Sequence, residues 1–209
     1  MGKISTGIFG GSFNPVHNGH IAIAKALLDG YGLDEIWLVV SPQNPMKRKA
    51  DLIDDATRLD IVRRAVAGEP RLHASGYEMA LPRPSYMWNT LSRMAADMPE
   101  RSFTLLIGAD NWQVFDRWYH HEDIMRNHRI VVYPRRGSEV DARSLPAGVT
   151  LADVPLLDIS STEIRRRVRS GEPVDGLVPD CVKETIIECY EGCISGGAGS
   201  RPAVASREG

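Results

Sequence analysis

Short apolar runs alternate with amphipathic stretches along the chain, and this alternation constrains the fold more than any other feature. Runs of strand length lie at 4–9, 36–40, 72–74, 103–107 and 130–133. Stretches with apolar residues at helical spacing lie at 18–31, 54–67, 84–98, 160–168 and 180–190. Runs that are apolar throughout are typical of strands buried on both faces. The pattern predicts an α/β fold: a parallel sheet with helices on both faces and a small helical part near the C-terminal end.

Length and charge narrow the classes of protein to consider. The 209 residues suit one domain, which we place at 1–191, followed by a Gly/Ser-rich, flexible tail at 192–209. The net charge of -2 argues against a nucleic-acid partner bound through bulk positive charge. We expect no membrane span and no signal peptide. The three cysteines are interpreted as reduced thiols of a cytoplasmic protein, and homo-oligomer formation stays open.

The segment from Gly10 to His20, GGSFNPVHNGH, ends the first predicted strand and opens the first predicted helix. Glycines allow close approach of a ligand, and the helix start offers unpaired N–H groups to a phosphate. His17 and His20, three residues apart, are expected on one side of the first turn, where both imidazoles could donate to phosphate oxygens. The segment matches neither GxGxxG nor a P-loop. Zinc ligation and a purely structural turn stay open for this segment alone, but no third zinc ligand is evident, so we predict no metal site.

A second segment, Ser160-Ser-Thr-Glu-Ile-Arg165, places hydroxyl groups at a helix start and an arginine one turn later. Ser160 and Glu163 have the spacing of a capping box. Chemically, the hydroxyl groups, N–H groups and guanidinium together form a cradle for an oxyanion. An ordinary helix cap with a solvated basic face is the alternative that this segment leaves open.

The two segments resemble, in the same order, both signatures of the nucleotidyltransferase superfamily that carries the HxGH motif. Between them, RPSYMWNTL at 83–91, GAD at 108–110 with FDRWYHHEDI at 115–124, and YPRRG at 133–137 resemble bacterial nicotinate mononucleotide adenylyltransferases. The resemblance covers about residues 4–190 and implies a Rossmann-like sheet of nucleotidyltransferase type. It also implies direct transfer of AMP from ATP to nicotinate mononucleotide, giving nicotinate adenine dinucleotide and pyrophosphate in NAD biosynthesis, with Mg²⁺ accompanying ATP.

The same resemblance implies roles for individual residues. Those expected to act in catalysis are His17, His20, Lys47 and Arg165. Those expected to bind ATP are Gly10, Gly11, Ser12, Phe13, His17, His20, Gly108, Asp110, Ser160, Ser161, Thr162 and Arg165. Those expected to bind nicotinate mononucleotide, with the indole of Trp118 stacked on the pyridine ring, are Asn14, Lys47, Ser85, Tyr86, Met87, Asp110, Trp118, Tyr119 and Arg135.

Two positions depart from the family pattern. Met46 stands where the family often has a histidine, and Met87 stands where it has a threonine. If position 87 acts through its backbone N–H, the change is tolerated; if the hydroxyl acts, recognition of the pyridine ring changes. The alternatives are a nicotinamide mononucleotide or phosphopantetheine acceptor, and a nucleotide sensor without catalysis. The Trp118-Tyr119 pair argues against phosphopantetheine, and the two intact histidines argue against a sensor.

Overall fold

One parallel sheet organises the protein, and the computed structural model describes residues 2–42 and 52–191. The strands are β1 Ile4–Gly11, β2 Glu35–Val40, β3 Leu72–Ser75, β4 Arg101–Gly108, β5 Arg129–Tyr133 and β6 Val149–Leu151. Their order across the sheet is β3-β2-β1-β4-β5-β6. Every neighbouring pair is parallel, so the central strands β1 and β4 end side by side. The order reverses direction between β1 and β4, which is where sheets of this class hold ligands.

Within the described residues, seven α-helices accompany the strands: α1 Asn18–Gly30, α2 Asp55–Val66, α3 Met87–Asp97, α4 Ala109–Trp112, α5 His121–Asn127, α6 Ser161–Arg169 and α7 Asp180–Glu191. Short 3-10 helices lie at Tyr77–Ala80, Phe115–Arg117 and Ala142–Ser144. Buried side chains of α1, α2, α6 and α7 form one hydrophobic core with the sheet, and those of α3 and α5 form the other. The predicted α/β architecture, with helices on both faces of a parallel sheet, is therefore confirmed.

The two cores explain why the central strands are apolar along their length. Leu105 and Leu106 are neighbours on β4, yet they belong to different cores because successive strand side chains point to opposite faces. Ile8 and Phe9 on β1 divide in the same way, and all four side chains are at most 2% exposed. A strand covered on both faces needs an apolar residue at every position, which produces the continuous runs seen in the sequence.

Three parts of the prediction are corrected. The strand β6 was not predicted because it has only three residues and none of them is fully buried, so it lacks an apolar run. The helices α4 and α5 are also short and were not predicted. The helix α3 begins at Met87 rather than at Pro84, because Tyr86 is an extended N-cap residue.

No helix among the described residues has both the length and the apolar character needed to cross a membrane. The predicted tail at 192–209 lies outside the described residues.

Candidate active site

His17 and His20 lie against each other where β1 passes into α1. The Nδ1 atom of His17 accepts from the His20 backbone N–H at 3.3 Å, and the Nδ1 atom of His20 accepts from the His17 backbone N–H at 3.2 Å. The two imidazoles thus form a reciprocal capping box, with ring centroids 3.6 Å apart. Because each Nδ1 atom accepts, a neutral ring in this arrangement carries its proton on Nε2. The predicted pairing of the two histidines is confirmed, and each presents Nε2–H as a donor.

His17 is a neutral group at physiological pH. Its side chain is almost fully buried, and burial lowers the pKa of His17 to about 3, with the positive charge of Arg135 acting in the same direction. Removing the imidazolium from water disfavours the charged form, so the ring keeps one N–H and no net charge. His17 can therefore offer a hydrogen bond to a ligand but no positive charge.

The glycine between the histidines has a steric role. A Cβ atom at Gly19 would lie 3.0 Å from the Nδ1 atom of His17 and 3.4 Å from the Cβ atom of Ile159. Both contacts are tight, and one of them is with the imidazole that caps the helix. The third residue of the HxGH pattern is thus glycine because the ring of His17 occupies the space that a side chain would need.

One expectation for this helix start is wrong in part. The N–H groups of Asn18 and His20 are not available to a phosphate, because they donate to the carbonyl oxygen of Leu177 and to His17. Phe13, with φ of 42°, lies in the left-handed region and turns the chain ahead of the helix. Its ring is buried and meets His20 edge-on, with centroids 5.1 Å apart. Two of the N–H groups at this helix start are therefore already paired within the protein.

The second segment, 160–165, docks directly on the first. The hydroxyl of Ser161 donates to the carbonyl oxygen of Pro15 at 2.9 Å, and Nη1 of Arg165 donates to that of Asn14 at 2.8 Å. The Arg165 Nε atom is buried without a hydrogen-bond partner among the described residues, and Nη2 lies 3.4 Å from the hydroxyl of Thr162. An unsatisfied buried donor of this kind suits a bound anion.

The predicted capping box of α6 is only half formed. The hydroxyl of Ser160 accepts from the Glu163 N–H at 3.2 Å, as expected. The carboxylate of Glu163 does not return the bond, because it accepts from Arg166 and Arg167. These ion pairs lower the pKa of Glu163 to about 2. Three consecutive arginines, Arg165 to Arg167, lie in α6. Arg166 and Arg167 pair with Glu163, and Arg165 contacts the first segment.

Asp110 and Arg135 meet beyond the ends of β4 and β5. Nε of Arg135 lies 3.7 Å from Oδ1 of Asp110, and this Nε is buried without a hydrogen-bond partner among the described residues. The Arg135 guanidinium also lies over the ring of Tyr133, 5.7 Å from its centroid. A Cβ atom at Gly108 would collide with Oδ1 of Asp110 and lie 3.0 Å from Cγ of Arg135. Glycine at 108 therefore allows this charged pair to form beside the histidines.

Met87, one of the residues expected to bind the acceptor, lies beside the end of β1. Met87 begins α3, and its Cε atom lies 2.7 Å from where a Cβ atom of Gly10 would stand, so its side chain covers the strand end. The rings of Tyr86 and Tyr119, both exposed, are 4.9 Å apart. Trp118 is half-buried and packs on Phe115, with centroids 5.3 Å apart. Tyr86 and Tyr119 thus form one exposed aromatic pair, Trp118 packs separately on Phe115, and the long side chain of Met87 points to the sheet.

Two buried ionic residues support these loops and were missed in the sequence. Ser85 donates to the carboxylate of Glu78, whose second oxygen accepts from the hydroxyl of Ser41 at 2.9 Å. Glu78 is 3% exposed, so it ties the Ser85 segment to the end of β2 from inside the protein. No pattern around Glu78 distinguishes it from a surface acid, because its partners are distant in the chain.

Arg58 is the second of these residues, and it is completely buried. Its guanidinium donates to the carbonyl oxygens of Ser12, Ser41 and Pro42 and to the carboxylate of Asp55, and its Nε atom donates to the carbonyl oxygen of Ile53. Arg58 therefore joins the turn after β1 to both flanks of the 43–51 segment. Lys47 and Met46 belong to that segment and lie outside the described residues. Arg58 lies four residues before Val62 and eight before Val66, and this spacing is the sequence signal that places it on the inward face of α2.

The lowered pKa of His17 predicts a pH dependence of stability. Between pH 6.5 and about 3, the unfolded chain binds a proton at His17 that the folded chain does not bind. The free energy of unfolding should therefore decrease as pH falls through this window, by up to about 1.4 kcal/mol per pH unit from this group. His17→Asn, which keeps a capping acceptor but does not titrate, should give a flatter profile in urea unfolding from pH 7.5 to 4.5. His73→Asn, a change on the exposed edge strand, is the control, and identical slopes for His17→Asn and wild type would contradict the assignment.

Comparisons with known proteins agree with this geometry. A cytidylyltransferase-like family model matches residues 8–167. The probable nicotinate-nucleotide adenylyltransferases of Bacteroides fragilis and Bacteroides thetaiotaomicron are 48% and 49% identical over 90% and 89% of this chain, and 94% and 92% of their own lengths. The structure of Plasmodium falciparum nicotinic acid mononucleotide adenylyltransferase complexed with NaAD has a similar fold, with a TM-score of 0.75 at 17% identity over 90% of this chain and 97% of that chain. This chain therefore belongs to the nicotinate-nucleotide adenylyltransferase family, within the cytidylyltransferase-like proteins.

Proposed function

We propose that the protein transfers AMP from ATP to nicotinate mononucleotide and releases pyrophosphate and nicotinate adenine dinucleotide. The observation that carries the proposal is the docking of the 160–165 segment on the 10–20 segment, which gathers two imidazoles and an arginine at one strand end. Family membership supplies the reaction class. Cys181 forms no disulfide among the described residues, which agrees with a cytoplasmic enzyme.

The reaction needs no covalent intermediate with the protein. A phosphate oxygen of the acceptor attacks the α-phosphorus of ATP in line with the leaving group, a new P–O bond forms, and the bond to the β-phosphate oxygen breaks. The electron pair of that bond leaves with pyrophosphate. His17 and His20 donate through Nε2–H to phosphate oxygens whose charge increases in the transition state, and Arg165 donates beside them. Mg²⁺ bound to the triphosphate of ATP would supply neutralisation of phosphate charge.

Catalysis in this scheme is mostly positioning and electrostatics, as in other transfers at phosphorus. Gly10, Gly11, Ser12 and Phe13 form the turn along which the triphosphate lies, and the start of α6, Ser160 to Thr162, faces its far end. Asp110 and Arg135 provide a carboxylate for ribose hydroxyl groups and a guanidinium for phosphate. We also keep Lys47 as a phosphate-binding residue on the strength of the family resemblance.

The start of α3 supports an acidic acceptor. No side chain caps this helix, and its first intrahelical hydrogen bond runs from Thr90 to Tyr86, so the preceding N–H groups have no partner within the helix. A helix start also carries partial positive charge. Beside the aromatic side chains of Tyr86, Trp118 and Tyr119, these donors suit the carboxylate of a nicotinate ring. A carboxamide would turn its own NH₂ group toward one of them.

The test of this function is a pyrophosphate-release assay with ATP and a panel of acceptors. Nicotinate mononucleotide should give the highest kcat/KM, and nicotinamide mononucleotide should be lower by about 10- to 10⁴-fold, because one or two hydrogen bonds to a charged group are lost. Phosphopantetheine is the control acceptor from another branch of the superfamily. Equal kcat/KM values for nicotinate and nicotinamide mononucleotide would contradict only the assignment of the acceptor pocket. If no acceptor led to release of pyrophosphate, the proposed enzymatic activity itself would be contradicted.

Replacement of His20 tests the role of the histidine pair. His20→Ala should lower kcat by about 10²- to 10³-fold, the usual effect of removing one transition-state donor, while ATP binding weakens less. Steady-state kinetics and a nucleotide-binding titration measure the two effects. His73→Ala removes an imidazole from β3 and should keep wild-type turnover. A near-normal kcat for His20→Ala would show that the pair does not act in catalysis.

The two ends of α1 offer a matched pair of glycines. Gly19→Ala should lower kcat by about 10- to 100-fold, because the new methyl group displaces the imidazole of His17 from the position it needs. Gly30→Ala meets no atom within 4 Å and should raise stability by about 0.5–1 kcal/mol without changing kcat. Turnover and thermal melting of both variants check the prediction. Equal kcat values for the two variants would refute the steric role of Gly19.

A further inference from the structure

The last described helix ends on a contact with the first turn of the site. Tyr190 lies in the final turn of α7 and is completely buried. Its hydroxyl group lies 2.5 Å from Oδ1 of Asn14, a residue 176 positions away in the chain. Tyr190 is an ordinary helix residue in the sequence pattern, and the proposed reaction does not use it. The contact therefore needs an explanation of its own.

The path of α7 brings Tyr190 to this position. Near the start of α7, the Arg64 guanidinium donates to the carbonyl oxygen of Cys181 and to the hydroxyl of Thr185. Arg64 belongs to the last turn of α2, whereas Ile53, the second neighbour of Asn14, precedes α2. The helix α7 thus runs antiparallel to α2 and ends where the strands β1 and β2 end.

The two neighbours fix the orientation of the Asn14 carboxamide. The backbone N–H of Ile53, 3.4 Å from Oδ1, can only donate, so the group on that side must be the oxygen of Asn14. Tyr190 therefore donates its hydroxyl proton to the same oxygen. Oδ1 and Nδ2 are bonded to the same carbon atom and point in different directions. When Oδ1 faces α7, the NH₂ group therefore points away from α7.

The backbone of Asn14 is held independently. Its carbonyl oxygen accepts from Nη1 of Arg165 at 2.8 Å, so the second motif fixes the main chain while α7 fixes the side chain. Asn14 is 6% exposed and lies between the glycines of the turn and the histidine pair. In the proposed reaction, a donor at this place would lie beside the phosphate groups.

We propose that Tyr190 is a positioning residue for AMP transfer: its hydroxyl holds the Asn14 carboxamide so that the NH₂ group donates to a phosphate oxygen of the bound substrates. The inference rests on the proposed function. It also assigns a role to α7 beyond packing. The helix then contributes to turnover through one hydroxyl group, and loss of that group leaves the apolar contacts of α7 in place.

The experiment compares Tyr190→Phe, Asn14→Ala and the double variant in the pyrophosphate-release assay, at a temperature where circular dichroism shows each to be folded. Tyr190→Phe should lower kcat by about 3- to 10-fold, the range expected for one hydrogen bond, with KM for ATP changed less than about twofold. In the Asn14→Ala background the same change should alter kcat less than about twofold, because Tyr190 acts through Asn14.

The matched control is Tyr31→Phe, which removes another tyrosine hydroxyl that accepts a 2.6 Å hydrogen bond from the Asp153 N–H. It should lower the melting temperature and leave kcat unchanged, as a purely structural role predicts. An unchanged kcat for Tyr190→Phe, or an equal loss in both backgrounds, would overturn the proposal.

A readout without turnover separates this inference from the proposed function. The side-chain NH₂ resonances of Asn14 are assigned by comparing ¹H–¹⁵N spectra: they are present in wild type and absent in Asn14→Ala. In wild type they should exchange slowly with water, and in Tyr190→Phe they should shift and exchange at least several-fold faster. If wild type releases no pyrophosphate, the proposed function fails while this spectrum still decides whether Tyr190 holds Asn14. Identical Asn14 resonances in both proteins would overturn the positioning role.

Discussion

The hydrogen bonds from α6 to the carbonyl oxygens of Asn14 and Pro15 are the interaction on which the site depends. Ser161 and Arg165 are separated from these carbonyl groups by 146 and 151 residues, so only the completed sheet brings them together. Buried carbonyl groups outside regular structure require partners, and here the partners come from the second motif. The same bonds therefore satisfy the backbone of the first motif and align the two halves of the phosphate site.

Buried charges hold the other loops at this edge of the sheet. Arg58 donates to the carbonyl oxygens of Ser12, Ser41 and Pro42, and Glu78 accepts from Ser41 and Ser85. Placing a charge in the interior is costly unless it is fully paired, and breaking such a pair leaves an uncompensated charge. These residues thus give irregular segments the fixed geometry that helices and strands obtain from their own backbone hydrogen bonds.

The features that the sequence predicts are those with a local or periodic cause. Strands such as Phe103 to Ile107 have continuous apolar runs, and His17 and His20 have a spacing that places them in one helical turn. Arg58, Glu78 and Tyr190 were not predicted as parts of the site because their partners are distant in the chain. The strand β6 is too short and too exposed to carry a pattern. The pairing of the Asn18 N–H group with the carbonyl oxygen of Leu177 also depends on a tertiary contact, which composition and spacing do not reveal.

The contact between Asn14 and Tyr190 also has a consequence for biosynthesis. A chain is made from its N-terminus, so the turn that contains Asn14 emerges from the ribosome early, whereas its partner emerges 176 residues later. During most of translation the β1–α1 unit therefore exists without the hydroxyl that orients its asparagine. The turn that contains Asn14 therefore reaches its final form only when α7 folds back along α2.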